Sequence, residues 1–273
     1  MFYFNQRETE KDGSYRIPAL PGRGLIAVRA FQDHYVRGVG AERIKNASPA
    51  RTRGMFNTVP KPCFAENYHA LAEISPTSGV ESIVCDLTLD PGRSLKGTVL
   101  DPDGKPLAGA RVAGLKDIGY WEFNPLAGAD FTVECLTPNK PRLLQFRHEG
   151  KKLAAALVLR GDRKEPLRVR LEPWATLTGR LLTPEGEPMT GVWVHCWTDV
   201  KPDGSTYYER LQRVQPGKDG RFRIEGLAPG SKYELSVTKG SLKLDIAGGN
   251  PQRLKIKAHR TKDLGDLRVK PAK

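Results

Sequence analysis

Two stretches decide the fold: LKGTVLDPDGKPLAGARV at residues 95–112 and LTGRLLTPEGEPMTGVWV at residues 177–194. A constant offset of 82 places Gly97 on Gly179, Gly104 on Gly186, Pro106 on Pro188, Gly109 on Gly191 and Val112 on Val194. The residues leading in match at the same offset, with Leu89-Asp90-Pro91 falling on Leu171-Glu172-Pro173. DPDGKP and TPEGEP read as turns, because proline presets φ and glycine accepts a positive φ. The TVL and ARV runs on either side alternate as strands do.

A second block recurs three times: DGSYRIPALPGRGLIAV from Asp12, FTVECLTPNKPRLLQF from Phe131, and DGRFRIEGLAPGSKYELSV from Asp219. Each has an aromatic-x-aliphatic strand, a leucine, a proline-containing turn and a further apolar strand. Short strands separated by frequent turns predict an all-β sandwich or barrel. Sustained helical periodicity is absent. YHALAEI, at residues 68–74, predicts one or two helical turns at most.

The first block resembles the opening of carboxypeptidase regulatory-like modules, G-x-V-x-D-x-x-G-x-P-L-x-G-A-x-V. The second is similar to their closing half, D-G-x-F/Y-x-I-x-x-L-x-P-G. The likeness covers about two thirds of the chain. It implies transthyretin-like (prealbumin-like), seven-stranded Greek-key sandwiches, a fold similar to that of starch-binding domains. The expected architecture is therefore a tandem array: a first module at residues 1–91, a second at 92–173 and a third at 174–273. The first is incomplete, with a closing block but no opening block before it, and carries an irregular segment over residues 30–90. Unpaired edges in a truncated sandwich are a liability. That points to Met1 lying inside a module and to the chain being the C-terminal part of a longer protein.

Composition fits this picture. The chain has 273 residues, 38% of them hydrophobic, with 28 glycines and 21 prolines. That is an ordinary globular fraction with many turns, which excludes collagen and disorder. The longest apolar run, LAAALVL at 153–159, is far short of the roughly 20 residues a membrane helix needs. The first residues lack the pattern of a signal peptide. The four cysteines, Cys63, Cys85, Cys135 and Cys196, show no metal-site spacing and read mostly as buried thiols.

Net charge is +13, and residues 1–91 contribute little of it. The densest basic stretch is PQRLKIKAHRTK, residues 251–262. As a strand it turns Leu254, Ile256 and Ala258 inward and Arg253, Lys255, Lys257 and His259 outward. Arg253, Lys255 and Lys257 are thus candidate contacts for an anionic surface. The segment lacks the interleaved aromatics of single-strand binders, and no nucleic-acid-binding signature appears, so no nucleic-acid partner is expected.

GxSxG, HExxH, GxxxxGK[ST] and GxGxxG are all missing, and the five histidines stand apart. No catalytic residue, metal or cofactor is expected. Asp101 and Asp103 read as turn residues, because the acidic spacing of a calcium loop is incomplete.

The sharpest candidate site is VWVHCWTDV, residues 192–200. Val112 matches Val194 and Arg111 matches Trp193; arginine is rarely buried. Trp193, His195 and Trp197 therefore belong on the outer face, where they form a platform for a sugar ring or a neighbouring module. The loop at Tyr207 and Tyr208 is a candidate cover for it. A second aromatic cluster, Tyr120-Trp121-Glu122-Phe123, reads as core and loop packing.

These features lead to a non-catalytic sandwich array acting as spacer, protein-interaction surface or accessory to upstream domains of the same polypeptide. The alternatives are a carbohydrate-binding module using Trp193 and Trp197, and an accessory domain of an upstream hydrolase. Partners on this reading are a protein or polysaccharide surface. The resemblance further implies an extracytoplasmic or cell-surface setting.

Overall fold

The computed structural model describes residues 7–31, 34–44, 47–48, 55–56, 63–64, 68–117, 123–138, 140–199, 208–249, 251 and 254–271. The chain divides into two compact units, one of residues 1–92 with 116–119, the other of residues 93–115 with 120–273.

In the first unit the strands are β1 (Gly24–Val28), β2 (Ala47–Ser48), β3 (Met55–Phe56), β4 (Cys63–Phe64) and β5 (Ala70–Ile74). β1 and β5 pair antiparallel, Gly24 opposite Ile74, and β2, β3 and β4 form a small separate sheet. The core is slight: Ile44 and Leu71, flanked by Leu25, Ala27, Ala41 and Tyr68. Two expectations are corrected here. Residues 70–74 form a strand rather than helical turns, because β1 supplies an antiparallel partner and pairing outweighs the weak helix propensity of so short a run. Of the block beginning at Asp12, only the second half forms a strand; residues 15–17 form none among the described residues.

In the second unit follow β6 (Arg93–Leu100), β7 (Arg111–Ala113), β8 (Asn124–Pro125), β9 (Asp130–Leu136), β10 (Arg142–His148), β11 (Leu153–Leu159), β12 (Leu167–Arg170) and β13 (Glu172–Pro173). They stack as two sheets, β12-β6-β9 and β13-β11-β10-β7-β8. Next come β14 (Ala175–Leu182), β15 (Trp193–Asp199), β16 (Tyr208–Val214), β17 (Arg221–Leu227), β18 (Lys232–Lys239), β19 (Leu242–Ile246), β20 (Leu254–Lys255) and β21 (Thr261–Pro271). Here β19 also pairs with β21, so the path runs continuously as β16-β15-β18-β19-β21-β14-β17, with β20 on β18.

The repeat in sequence is a repeat in topology. β6 lies between antiparallel β9 and parallel β12; β14 lies between antiparallel β17 and parallel β21. Each set encloses its own core. One runs from Leu95 to Leu171 and includes Val112, Phe131 and Phe146. The other runs from Ala175 to Val269 and includes Val194, Phe222 and Leu235. The protein is thus all-β, as the period-two pattern and turns require.

The turns repeat atom for atom. Asp101 N–H donates to Lys105 O at 2.8 Å and Gly104 N–H to Asp101 O at 3.0 Å; Thr183 N–H donates to Glu187 O at 2.8 Å and Gly186 N–H to Thr183 O at 3.0 Å. Asp101 Oδ1 accepts from the N–H groups of Asp103 and Lys105, so the carboxylate closes a turn. Gly104 and Gly186 have φ of 84° and 95°, a region that only glycine enters freely.

Candidate binding face and inter-sandwich junction

β15 is flanked by β16 and β18, and its side chains alternate between core and exterior. Val192, Val194 and Cys196 are fully buried, so Trp193, His195 and Trp197 share the other face. β7, its counterpart, is three residues long against seven in β15, and carries Arg111 and Ala113 where β15 has Trp193 and His195. The aromatic face thus belongs to the C-terminal sandwich alone.

This face is pre-arranged by its neighbours. Trp197 Nε1–H donates to Ser236 Oγ at 2.8 Å, and His195 Nε2 lies 2.9 Å from Thr238 Oγ1. The imidazole stacks on the Trp197 ring, centroids 5.9 Å apart at 26°. Arg213 Cζ sits 4.3 Å from the centroid of Trp193 in a cation–π contact. Both tryptophans remain half-exposed, whereas His195 is only 8% exposed. An open imidazole is therefore corrected: the stacked Trp197 ring and the Thr238 hydroxyl lie against it. What the face presents is two indole surfaces with fixed polar partners. The side chains of Tyr207 and Tyr208 lie outside the described residues.

The basic stretch is shorter as a strand than expected. Among the described residues of this stretch only Leu254 and Lys255 pair before the chain turns at His259, which has φ of 56°. The alternation still holds: Leu254 and Ile256 are buried, while Lys255 and Lys257 are exposed. Arg253 lies outside the described residues, and Lys255 lies opposite Lys232 of β18, one strand across from β15.

A second feature was not read from sequence. β13 belongs to the first of the two sandwiches and β14 to the second, and Trp174 alone stands between them. Backbone bonds fasten this joint: Trp174 N–H to Lys152 O at 2.9 Å and His259 N–H to Pro173 O at 3.4 Å, while Thr176 N–H to Arg260 O at 3.0 Å lies within the second sandwich. Beside it, Arg147 of β10 reaches toward β17. Its Cζ is 4.5 Å from the Phe123 ring centroid, and a Cβ at Gly226 would lie 3.3 Å from its Nε. Burial lowers the pKa of this guanidinium from its ordinary value. Burial also holds the Cys196 thiol up to about 12, with Arg147 pulling the other way, and raises the Tyr233 phenol, which donates to Ala228 O at 2.8 Å. Of the Tyr120-Trp121-Glu122-Phe123 cluster, residues 120–122 lie outside the described residues, and Phe123 is half-buried against Arg147.

Among the described residues no cluster of three or more His, Cys, Asp or Glu side chains could hold a metal ion, and no helix is long and apolar enough to cross a membrane. Cys85, Cys135 and Cys196 are thiols, the last two buried.

No family model matches the chain, and no curated protein matches it. Among solved structures, the shaft pilin spaA of Lactobacillus rhamnosus GG is 12% identical, covering 66% of this chain and 98% of its own, with a TM-score of 0.28. A streptococcal ancillary pilin is 17% identical over 81% of this chain and 74% of its own, TM-score 0.29. The dioxygenase domain of a carbohydrate-binding fusion protein from Streptomyces sp. SirexAA-E is 16% identical over 36% of this chain and 80% of its own, TM-score 0.22. At such TM-scores these likenesses carry no argument about fold or function.

Proposed function

We propose that this chain is a non-catalytic array of three sandwich modules, at residues 1–91, 92–173 and 174–273, that serves as a stiff spacer and interaction region. The modules resemble carboxypeptidase regulatory-like domains in the blocks quoted above, and the extracytoplasmic setting and upstream domains follow from that resemblance. The observation that carries the reading is the joint between the second and third modules. One residue, Trp174, separates their strands, backbone hydrogen bonds fasten it, and Arg147 is packed between Phe123 and Gly226. A flexible linker, the usual means of freeing two domains, has no room there. Insertion of Gly-Ser-Gly-Ser after Pro173 tests this. The native chain is expected to unfold these two modules in one calorimetric transition and the insertion variant in two. Two transitions in both would remove the spacer reading.

A second reading rests on the β15 face. Half-exposed Trp193 and Trp197, held by Ser236 and by Arg213, offer flat apolar surfaces of the kind that stack on sugar rings. Lys255 and Lys257 are kept as a separate, salt-sensitive contact for an anionic surface.

A further inference from the structure

Strand pairing lays the outer face of the C-terminal sheet out in rows. Trp193 lies opposite Thr238 of β18, and Thr238 opposite Lys243 of β19. Arg213 of β16 lies opposite His195 and reaches over the Trp193 ring, 4.3 Å from its centroid. Both cations are exposed, so the first indole stands between a guanidinium and an ammonium. Trp197 instead lies opposite Glu234, and the next outward residue of β18, Lys232, lies opposite Lys255. Tyr233, Leu235 and Val237 are buried between these positions, which puts Lys232, Glu234, Ser236 and Thr238 on one face. Asp245 of β19 lies opposite Lys270 of β21, a pair that adds no net charge.

The charge along this face is therefore positive at Trp193, negative at Trp197 and positive again at Lys232. The rings are fixed in advance, Trp193 by Arg213 and Trp197 by its bond to Ser236. A ligand that stacks on them immobilises few side chains. A guanidinium is weakly hydrated and meets a carboxylate or sulfate with paired N–H groups, and charge-assisted bonds of that kind are the strong ones. The Glu234 carboxylate does the reverse: it repels an anion and accepts from a hydroxyl. The Cα atoms of the two tryptophans, four residues apart on a strand, are about 13 Å apart, more than one sugar ring spans. A matching ligand has several rings, with charge on one and hydroxyls alone on the next.

We propose that this face binds an acidic glycan in which charged and neutral rings alternate. A ring bearing a carboxylate or sulfate lies on Trp193 between Arg213 and Lys243. A neutral ring stacks on Trp197 and donates a hydroxyl to Glu234, and the next acidic ring reaches Lys232. The inference rests on the sugar-stacking reading of the β15 face and adds to it the class of sugar; it is independent of the joint at Trp174. A polyanion charged at every unit, such as a nucleic acid, would set a phosphate against Glu234. An uncharged polysaccharide would leave Arg213 and Lys243 without an anion to meet.

The test titrates the whole chain with a hyaluronan hexasaccharide, in which glucuronate alternates with N-acetylglucosamine, and with chitohexaose, which is N-acetylglucosamine throughout. Calorimetry is expected to show hyaluronan binding about tenfold tighter or more. Arg213→Gln combined with Lys243→Gln should bring hyaluronan to the chitohexaose level and leave chitohexaose unchanged. The indole N–H resonances of Trp193 and Trp197 should shift while that of Trp174 stays. Hexagalacturonate, charged on every ring, should bind more weakly than hyaluronan, and Glu234→Gln should close that gap. A preference confined to a chondroitin sulfate hexasaccharide would support the site and name sulfate as the group it takes. Equal affinity for hyaluronan and chitohexaose would overturn the charge requirement while the stacking reading stood; binding of none of these sugars would remove both. Displacement of hyaluronan by an oligodeoxythymidylate of equal charge would also overturn the proposal, by showing a surface for any polyanion.

Discussion

The guanidinium of Arg147, on one sandwich, packs against the backbone of Gly226 on the next, where a Cβ would stand 3.3 Å from Nε. Gly226 also has φ of 70°, which side chains rarely adopt. Gly226→Ala is therefore expected to cost about 1–2 kcal/mol, and Arg147→Ala a comparable amount through lost packing and the Phe123 contact. Because the two residues touch, the double variant should lose less than the two single losses added together. Urea melts of the four proteins measure this; strict additivity would mean that the two do not meet.

Val112 and Val194 are core equivalents, 1% and 0% exposed, while Arg111 is exposed. Val→Ala at either valine should destabilise its sandwich on the order of 1–3 kcal/mol. Arg111→Ala should stay within about 0.5 kcal/mol. Thermal denaturation checks it, and a loss at Arg111 matching the valines would reverse the inward and outward assignment.

The inward and outward assignment was legible because the repeat matched an arginine to Trp193, and an arginine rarely goes inside. The turns were legible too, since DPDGKP and TPEGEP fix their own backbone. Other features were not. Residues 70–74 read as weakly helical until β1 paired with them, because a five-residue run has too little period to decide. His195 was placed on the correct face but expected in the open, since alternation assigns a face and says nothing of what its neighbours cover. The Arg147 joint left no local signal at all: its partners, Phe123 and Gly226, are 24 and 79 positions away along the chain.

Cys196 gives a pH dependence with a definite sign. Burial raises its thiol to about 12 in the folded chain, above the roughly 8.5 of an exposed thiol. The folded state thus holds its proton more tightly, so this contribution is complete below about pH 8.5. It is lost progressively as pH climbs toward 12. At pH 8 Cys196 should resist alkylation in the native protein and react at the ordinary rate in urea, as peptide mass mapping would show. Fast native labelling would mean that the C-terminal core opens readily.

Affinity electrophoresis in starch, chitin and acidic-glycan gels separates the surface readings. The spacer reading expects no retardation. Retardation lost in Trp193→Ala or Trp197→Ala would establish the indole face as a sugar platform. Retardation abolished by salt and unaffected by those changes would assign the binding to the basic surface around Lys255 and Lys257.

A stiff spacer requires the two sandwiches on either side of Trp174 to move as one body. Residual dipolar couplings of backbone amides in a weakly aligning medium measure this directly. Couplings from residues 93–173 and from residues 174–271 are expected to fit a single alignment tensor of one magnitude and orientation. Two tensors of different magnitude would contradict the account, because they would show the sandwiches reorienting about Trp174 despite the bonds that fasten it.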